Sequence, residues 1–178
     1  MNILGAEITT SEDGVALDVF RLSHAEYNDR MLDEDHWLRV RETLGKVLRE
    51  EATVESLLAR SQRPSILTQR KLPTIPTSVT FDNEGSDHYT LLEVSTQDGI
   101  GVLFAITNTL YRLGCVIHLA KISTVLHHVF DVFYITDGAE KKIVDEGRLR
   151  EIAEEVRTRL DQREPSAAGN EPVGEITF

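Results

Sequence analysis

AEITTSEDGVALDVF, residues 6–20, is written a second time in this chain, as AKISTVLHHVFDVF at residues 120–133. Ala6, Ile8, Thr10, Asp18, Val19 and Phe20 meet Ala120, Ile122, Thr124, Asp131, Val132 and Phe133, and Thr9 meets Ser123. The match loses one residue, in the middle, where a hairpin turn tolerates a change of length. Both copies are rich in the β-branched and aromatic residues that suit a pleated surface. In the second copy, Val116, Ala120, Ile122 and Thr124 share one parity facing a core, with Lys121 and Ser123 toward solvent. The first copy turns through Asp13-Gly14, where glycine takes positive φ at little cost. The second turns near Leu126-His127-His128. Two matching hairpins predict a duplicated unit, and the repeated Asp18 and Asp131 predict one shared structural role.

The flanks of the second copy show what that unit is. HYTLLEVSTQ (88–97) is a strand pattern, and DGIG (98–101) turns into VLFAITNTLYRLG (102–114). Leu103, Ile106, Leu110 and Leu113 recur there at helical spacing, and Gly114 stops the helix. After the hairpin, Asp137-Gly138 makes a turn. Leu149, Ile152, Val156 and Leu160 then stripe a second helix over 148–163, with Glu155 to Arg159 as an i,i+4 pair. The order is β-α-β-β-α. EITF (175–178) is a candidate last strand after PSAAGNEPVG, which would complete βαββαβ.

The first copy is followed by a helix over about 33–51, with Trp37, Val40, Leu44, Val47 and Leu48 on one face. Asp33 and Glu34 suit its start. A shorter helix over about 53–61 follows, and Pro64, Pro73 and Pro76 mark a linker. SVTF (78–81) is a strand pattern. The division expected is a partial repeat over 1–63, a linker over 64–76, a strand over 77–83 closing the first repeat, a complete unit over 88–163, and a tail over 164–178. The first copy has no leading strand and helix. In a split β-α-β sheet the leading strand lies between the third and fourth strands, and its absence leaves unpaired backbone groups. Three explanations stand: a chain cut from a longer one, a gap filled by the second unit or a symmetry mate, or a partly ordered first half.

The chain has 178 residues, 40% of them apolar, and a formal charge of −11. That length holds one ordinary domain or two small ones. So negative a surface repels nucleic-acid backbones and anionic lipid. The basic residues Arg60, Arg63, Arg70 and Lys71 are sparse and lack interleaved aromatics, so they belong to a solvated linker. No run approaches the roughly 20 apolar residues of a membrane span, and no signal peptide is evident. The one cysteine, Cys115, forms no intramolecular disulfide. It follows a helix-ending glycine and leads into an apolar strand, which suits a buried structural thiol. A reducing cytoplasm is the simplest compartment.

DGIGVL (98–103) is the candidate binding stretch. Asp98 is expected to cap the helix by accepting from an N–H two or three residues on. Gly101 removes a side chain where a ligand would approach the backbone. The free amides of Gly101, Val102 and Leu103 at a helix N-terminus favour a carboxylate, such as that of an amino acid. The same stretch also makes sense as a tight strand-to-helix turn with no ligand. His118 is either a ligand contact at a subunit boundary or an ordinary strand histidine. His127 and His128 are adjacent and lack a third partner, so they do not suit a metal. No cofactor is called for.

TLLEVSTQDGIGVLFAITNTLYRLG (90–114) followed by HLAKISTVLHHVFDVFYITD (118–137) resembles an ACT domain. The likeness is to the tandem ACT modules at the C-terminus of the PII-protein uridylyltransferase/uridylyl-removing enzyme family, and it spans most of residues 2–160. That family shows a strand, then D-R-P-G-L-L opening a helix, then A-K-I-x-T and D-x-F. Here Gly99 and Ile100 replace the Arg and Pro, which loosens the turn. The resemblance implies a ferredoxin-like α+β module that senses a small amino acid, glutamine being the family's expected effector. It also implies a homo-oligomer built through ACT modules. The family's catalytic parts are not found: no Asp-x-Asp follows Gly85-Ser86, and none of the six His is followed by Asp. The readings left open are a sensor, a non-binding ACT scaffold for dimerisation, and a fragment of an enzyme whose activity lies upstream.

Overall fold

A period of two in the side chains builds the sheets, and a period near 3.6 builds the helices that cover one of them. The computed structural model describes residues 2–10, 13, 15–23, 33–61, 75–125 and 127–163. Residues 64–74 of the expected linker and the candidate last strand 175–178 lie outside the described residues, as does Gly14 of the first turn.

The elements in order are β1 (Asn2–Thr10), β2 (Ala16–Ser23), α1 (Glu34–Leu48), α2 (Val54–Ser61), β3 (Ser78–Asp82), β4 (Thr90–Gln97), α3 (Val102–Arg112), β5 (Val116–Lys121), β6 (Thr124–Val125), β7 (His128–Thr136) and α4 (Glu146–Asp161). The larger sheet runs β3-β4-β7-β5, with β6 paired to β7, and every pairing in it is antiparallel. This is the ferredoxin-like α+β arrangement. SVTF, expected to close the first repeat, pairs with β4 and so takes the edge place of this unit's fourth strand.

On the helix side, Thr90, Leu92, Val94 and Thr96 of β4 and Val129, Asp131, Phe133 and Ile135 of β7 are buried. α3 contributes Val102, Ile106 and Leu110, and α4 contributes Ile152, Val156 and Leu160. Gly114 ends α3 in the left-handed region at φ 71, and the amides of Gly114 and Cys115 return to the carbonyls of Tyr111 and Leu110. Cys115 is buried, and burial pushes its thiol up. On α4 the acid–base pair that forms is Arg148–Glu151. The expected Glu155–Arg159 pair is not made among the described residues, because both side chains stand exposed where water competes.

The duplication survives into three dimensions. Ala6 pairs with Phe20 and Glu7 with Val19 in the first hairpin, as Ala120 pairs with Phe133 and Lys121 with Val132 in the second. Ala6 and Ala120 are both buried. The two aspartates part company: Asp131 is 2% exposed and Asp18 is exposed. Their shared structural role does not hold, because α3 and α4 cover only the second hairpin. The β1–β2 hairpin is a separate two-stranded sheet with β1 set beside β5. The second unit therefore does not fill the gap in the first. Among the described residues β2 has no strand partner except β1.

Asp33 caps α1 with its carboxylate, accepting from the His36 N–H at 2.9 Å. The apolar face expected on this helix is present but uncovered among the described residues: none of its residues is buried, and Trp37 is 50% and Leu48 75% exposed.

Candidate functional site

The turn from β4 into α3 is built by its glycines. Asp98 donates its N–H to the His127 carbonyl at 2.8 Å, which ties the end of β4 to the hairpin turn. Its carboxylate accepts from the Gly99 N–H, also at 2.8 Å. The expected helix cap by Asp98 is not formed. The N-cap is Gly101, at φ 82 and ψ 12, with no side-chain capping bond. Starting the helix there puts its second and third amides five and six residues beyond Asp98, outside the reach of a cap.

Val102, singled out with Gly101 and Leu103 for its amide, is buried and donates to the Gly99 carbonyl at 3.2 Å. The amides of Gly101, Leu103 and Phe104 have no protein acceptor among the described residues. They are the orphan donors that every helix N-terminus leaves. A side chain at Gly101 would have to adopt a left-handed backbone and would meet Leu58 of α2 at 3.2 Å. The glycine thus allows close approach, and its neighbour is the protein's own second helix.

Beside this turn lies a cleft of about 260 Å³. Glu55 and Leu58 of α2 line one side, and Ile100 and Gly101 form the turn. Phe104, Ala105 and Asn108 present one face of α3, and Arg159, Gln162 and Arg163 come from the end of α4. The Arg163 guanidinium donates through Nη2 to the Ile100 carbonyl at 3.1 Å. Its Nε is buried and has no hydrogen-bond partner among the described residues. Burial lowers the guanidinium's pKa, and the Asp98 carboxylate opposes that shift.

Asp131 sits in the core. It accepts from the Ser123 N–H at 3.2 Å, and its carboxyl is pushed up to about 7. Loss of hydration is the main cause; the Ser123 hydrogen bond opposes it, and the nearby Asp98 charge adds to it.

His118 is not at this site. Gln97, at the turn, pairs with His128, whereas the neighbours of His118 on β5 pair with Tyr134 and Ile135 of β7 at the far end of the sheet. Seven residues of strand separate the two levels, roughly 20 Å. His118 lies at the bulge in β5, its Nε2 2.9 Å from Thr136 Oγ1 and its ring 4.9 Å from that of Tyr89. Glu55, Asn108, Arg159, Gln162 and Arg163 were not foreseen at this site. One signal points to the α4 residues. In a βαββαβ unit the two helices run antiparallel, so the end of the second must lie beside the start of the first.

A family model described as an ACR9-like, ACT-like domain matches residues 78–163, beginning at β3 and ending at Arg163. Residues 78–163 are an ACT-like domain. The chain as a whole is similar to proteins named bifunctional uridylyltransferase/uridylyl-removing enzyme. It is 33% identical to that of Rhodospirillum rubrum over 93% of this chain and 17% of the relative. Against that of Ruegeria pomeroyi it is 30% identical over 95% of this chain and 18% of the relative. Against that of Azospirillum brasilense it is 32% identical over 86% and 16%. The chain thus spans about a sixth of the length of these curated relatives. No solved structure matches it. Among the described residues, no helix is long and apolar enough to cross a membrane.

Proposed function

We propose that this chain is a regulatory module. Its ACT-like domain binds a small amino acid, glutamine, at the turn 98–103, and occupancy biases how the first half packs against the second. One observation carries this reading: the unpaired amides of Gly101, Leu103 and Phe104 at the start of α3, next to a cleft walled by three helices. For a signal to result, the ligand must prefer one packing arrangement, typically by about 1–3 kcal/mol. The domain division proposed is a partial repeat over 1–63 joined to the ACT-like unit through 64–76. These residues carry no catalytic step of their own. The module works in the cytoplasm, as a homo-oligomer or as part of a longer uridylyltransferase whose catalytic domains precede it.

Isothermal calorimetry of the whole chain against the free amino acids tests the reading. Micromolar to millimolar binding of glutamine, with weak or no response to the others, is the expected result. Silence across the set would refute the sensor. It would favour the second reading, a non-binding scaffold, for which the face of α1 and the edge of β2, both left uncovered among the described residues, are the specific support.

A further inference from the structure

We infer that the cleft selects a zwitterion, with Arg163 as the carboxylate contact and Glu55 of α2 as the ammonium contact. This rests on the amino-acid reading of the same site and names its specificity residues.

The charges in the cleft are separated by element. Its acid, Glu55, comes from α2, and its two arginines come from the end of α4. The side chains of Glu55 and Arg159 form no ion pair or hydrogen bond among the described residues. Among the described residues Arg163 is engaged only through Nη2, on the Ile100 carbonyl, and its buried Nε–H is unspent. Its Nη1 has no hydrogen-bond partner among the described residues and is not sealed from solvent, so a carboxylate in the cleft can take a charge-assisted bond from it. The unpaired α3 amides beside it add further donors of the same sign. The third wall of the cleft carries Asn108, whose amide can both donate to and accept from a side-chain amide. The size agrees. Water occupies roughly 30 Å³ per molecule in the liquid, so 260 Å³ has room for about nine waters, and a small amino acid fits in that space.

The placement of Glu55 also gives the ligand a second effect. α2 meets the turn through Leu58, which lies against Gly101 and is itself only half-buried. A ligand whose ammonium engages Glu55 while its carboxylate engages Arg163 ties α2 to α3 and α4. The wall of the cleft is then also its latch.

The test is calorimetry of the whole chain and its Glu55→Gln variant with three probes: L-glutamine, its des-amino analogue, and glutamine with an amidated α-carboxylate. Glu55 is exposed, so the variant keeps its fold, which thermal unfolding checks. The parent chain should bind the des-amino analogue at least tenfold more weakly than glutamine. Glu55→Gln should weaken glutamine at least tenfold and leave the des-amino analogue unchanged. Arg163→Gln should weaken glutamine and leave the amidated probe unchanged. Hydrogen exchange over residues 54–61 should slow on adding glutamine to the parent and not to Glu55→Gln. If the parent binds glutamine and Glu55→Gln keeps both its affinity and its preference, the inference is wrong and the sensor reading stands. If the parent binds no amino acid, both fall together.

Discussion

Replacing Asp131 with asparagine should change stability little near pH 4 and make the protein progressively more stable than its parent as pH rises to 7. Asp131 is 2% exposed, and its carboxyl is pushed up from 3.8 to about 7. Between those values the folded chain holds a proton that the unfolded chain has released. Stability from this group is therefore full below about pH 4 and is lost as pH rises through 7. One pKa unit corresponds to about 1.4 kcal/mol, so the wild-type protein loses roughly 2–3 kcal/mol at this residue between pH 5 and pH 8. Asparagine has the shape of the protonated acid and leaves an oxygen for the Ser123 N–H, but it does not titrate. Urea denaturation of both proteins at half-unit steps from pH 5 to pH 8 isolates the effect. All other groups, including the acids held low by local partners such as Asp82, cancel in the difference. The stability of the variant minus that of the parent should climb by about 2–3 kcal/mol across the range. Because the Asp98 charge adds to the shift, Asp98→Asn should move the midpoint of that climb to lower pH. A difference that stays flat from pH 5 to pH 8 would refute the argument that burial holds a proton on Asp131.

Gly101→Ala forces a side chain into left-handed backbone and against Leu58, so it should cost about 1–2 kcal/mol in urea denaturation and loosen α2 in hydrogen exchange. Phe133 is fully buried at the centre of β7, and Phe133→Ala should cost about 3–5 kcal/mol in the same measurement. The buried Thr90 hydroxyl accepts from the Ile143 N–H at 3.0 Å and lies 2.8 Å from Asn83 Oδ1. Thr90→Val keeps the shape and strands those partners, so it should cost about 1–3 kcal/mol, seen as a lower denaturation midpoint with an unchanged slope.

The ferredoxin-like unit was legible because its signals are local and repeated. The parity of Ala120 and Ile122, the stripe Ile152–Val156–Leu160 and the stop at Gly114 each report on a few neighbouring residues, and each appears in the structure as expected. What failed depended on three-dimensional context. Asp98 looks like a cap by residue type, but the left-handed Gly101 moves the helix start beyond its reach. Asp18 and Asp131 occupy matching places in the repeated sequence, yet only one lies under helices. His118 is close to the turn in residue number and lies at the opposite end of the sheet because β5 begins there. The cleft was the hardest part to foresee. Its walls come from α2, α3 and α4, which more than a hundred residues of chain separate from first to last. No local pattern encodes that meeting.

The position of α2 decides whether a ligand at this turn can matter elsewhere. The first half touches the ACT-like domain through β1 beside β5 and through Leu58 on Gly101. The β1 contact places buried Ala6 in the common core, so it is part of the fold and a poor candidate for movement. The α2 contact is different in kind. It rests on a half-buried leucine at a glycine that also begins α3. A ligand that occupies the cleft without touching α2 has equal affinity for the seated and unseated helix and shifts nothing, however tightly it binds. One that engages Glu55 binds the seated form more tightly, and that differential affinity appears as coupling. The acidic residue on α2 is therefore what separates a binding pocket from a switch.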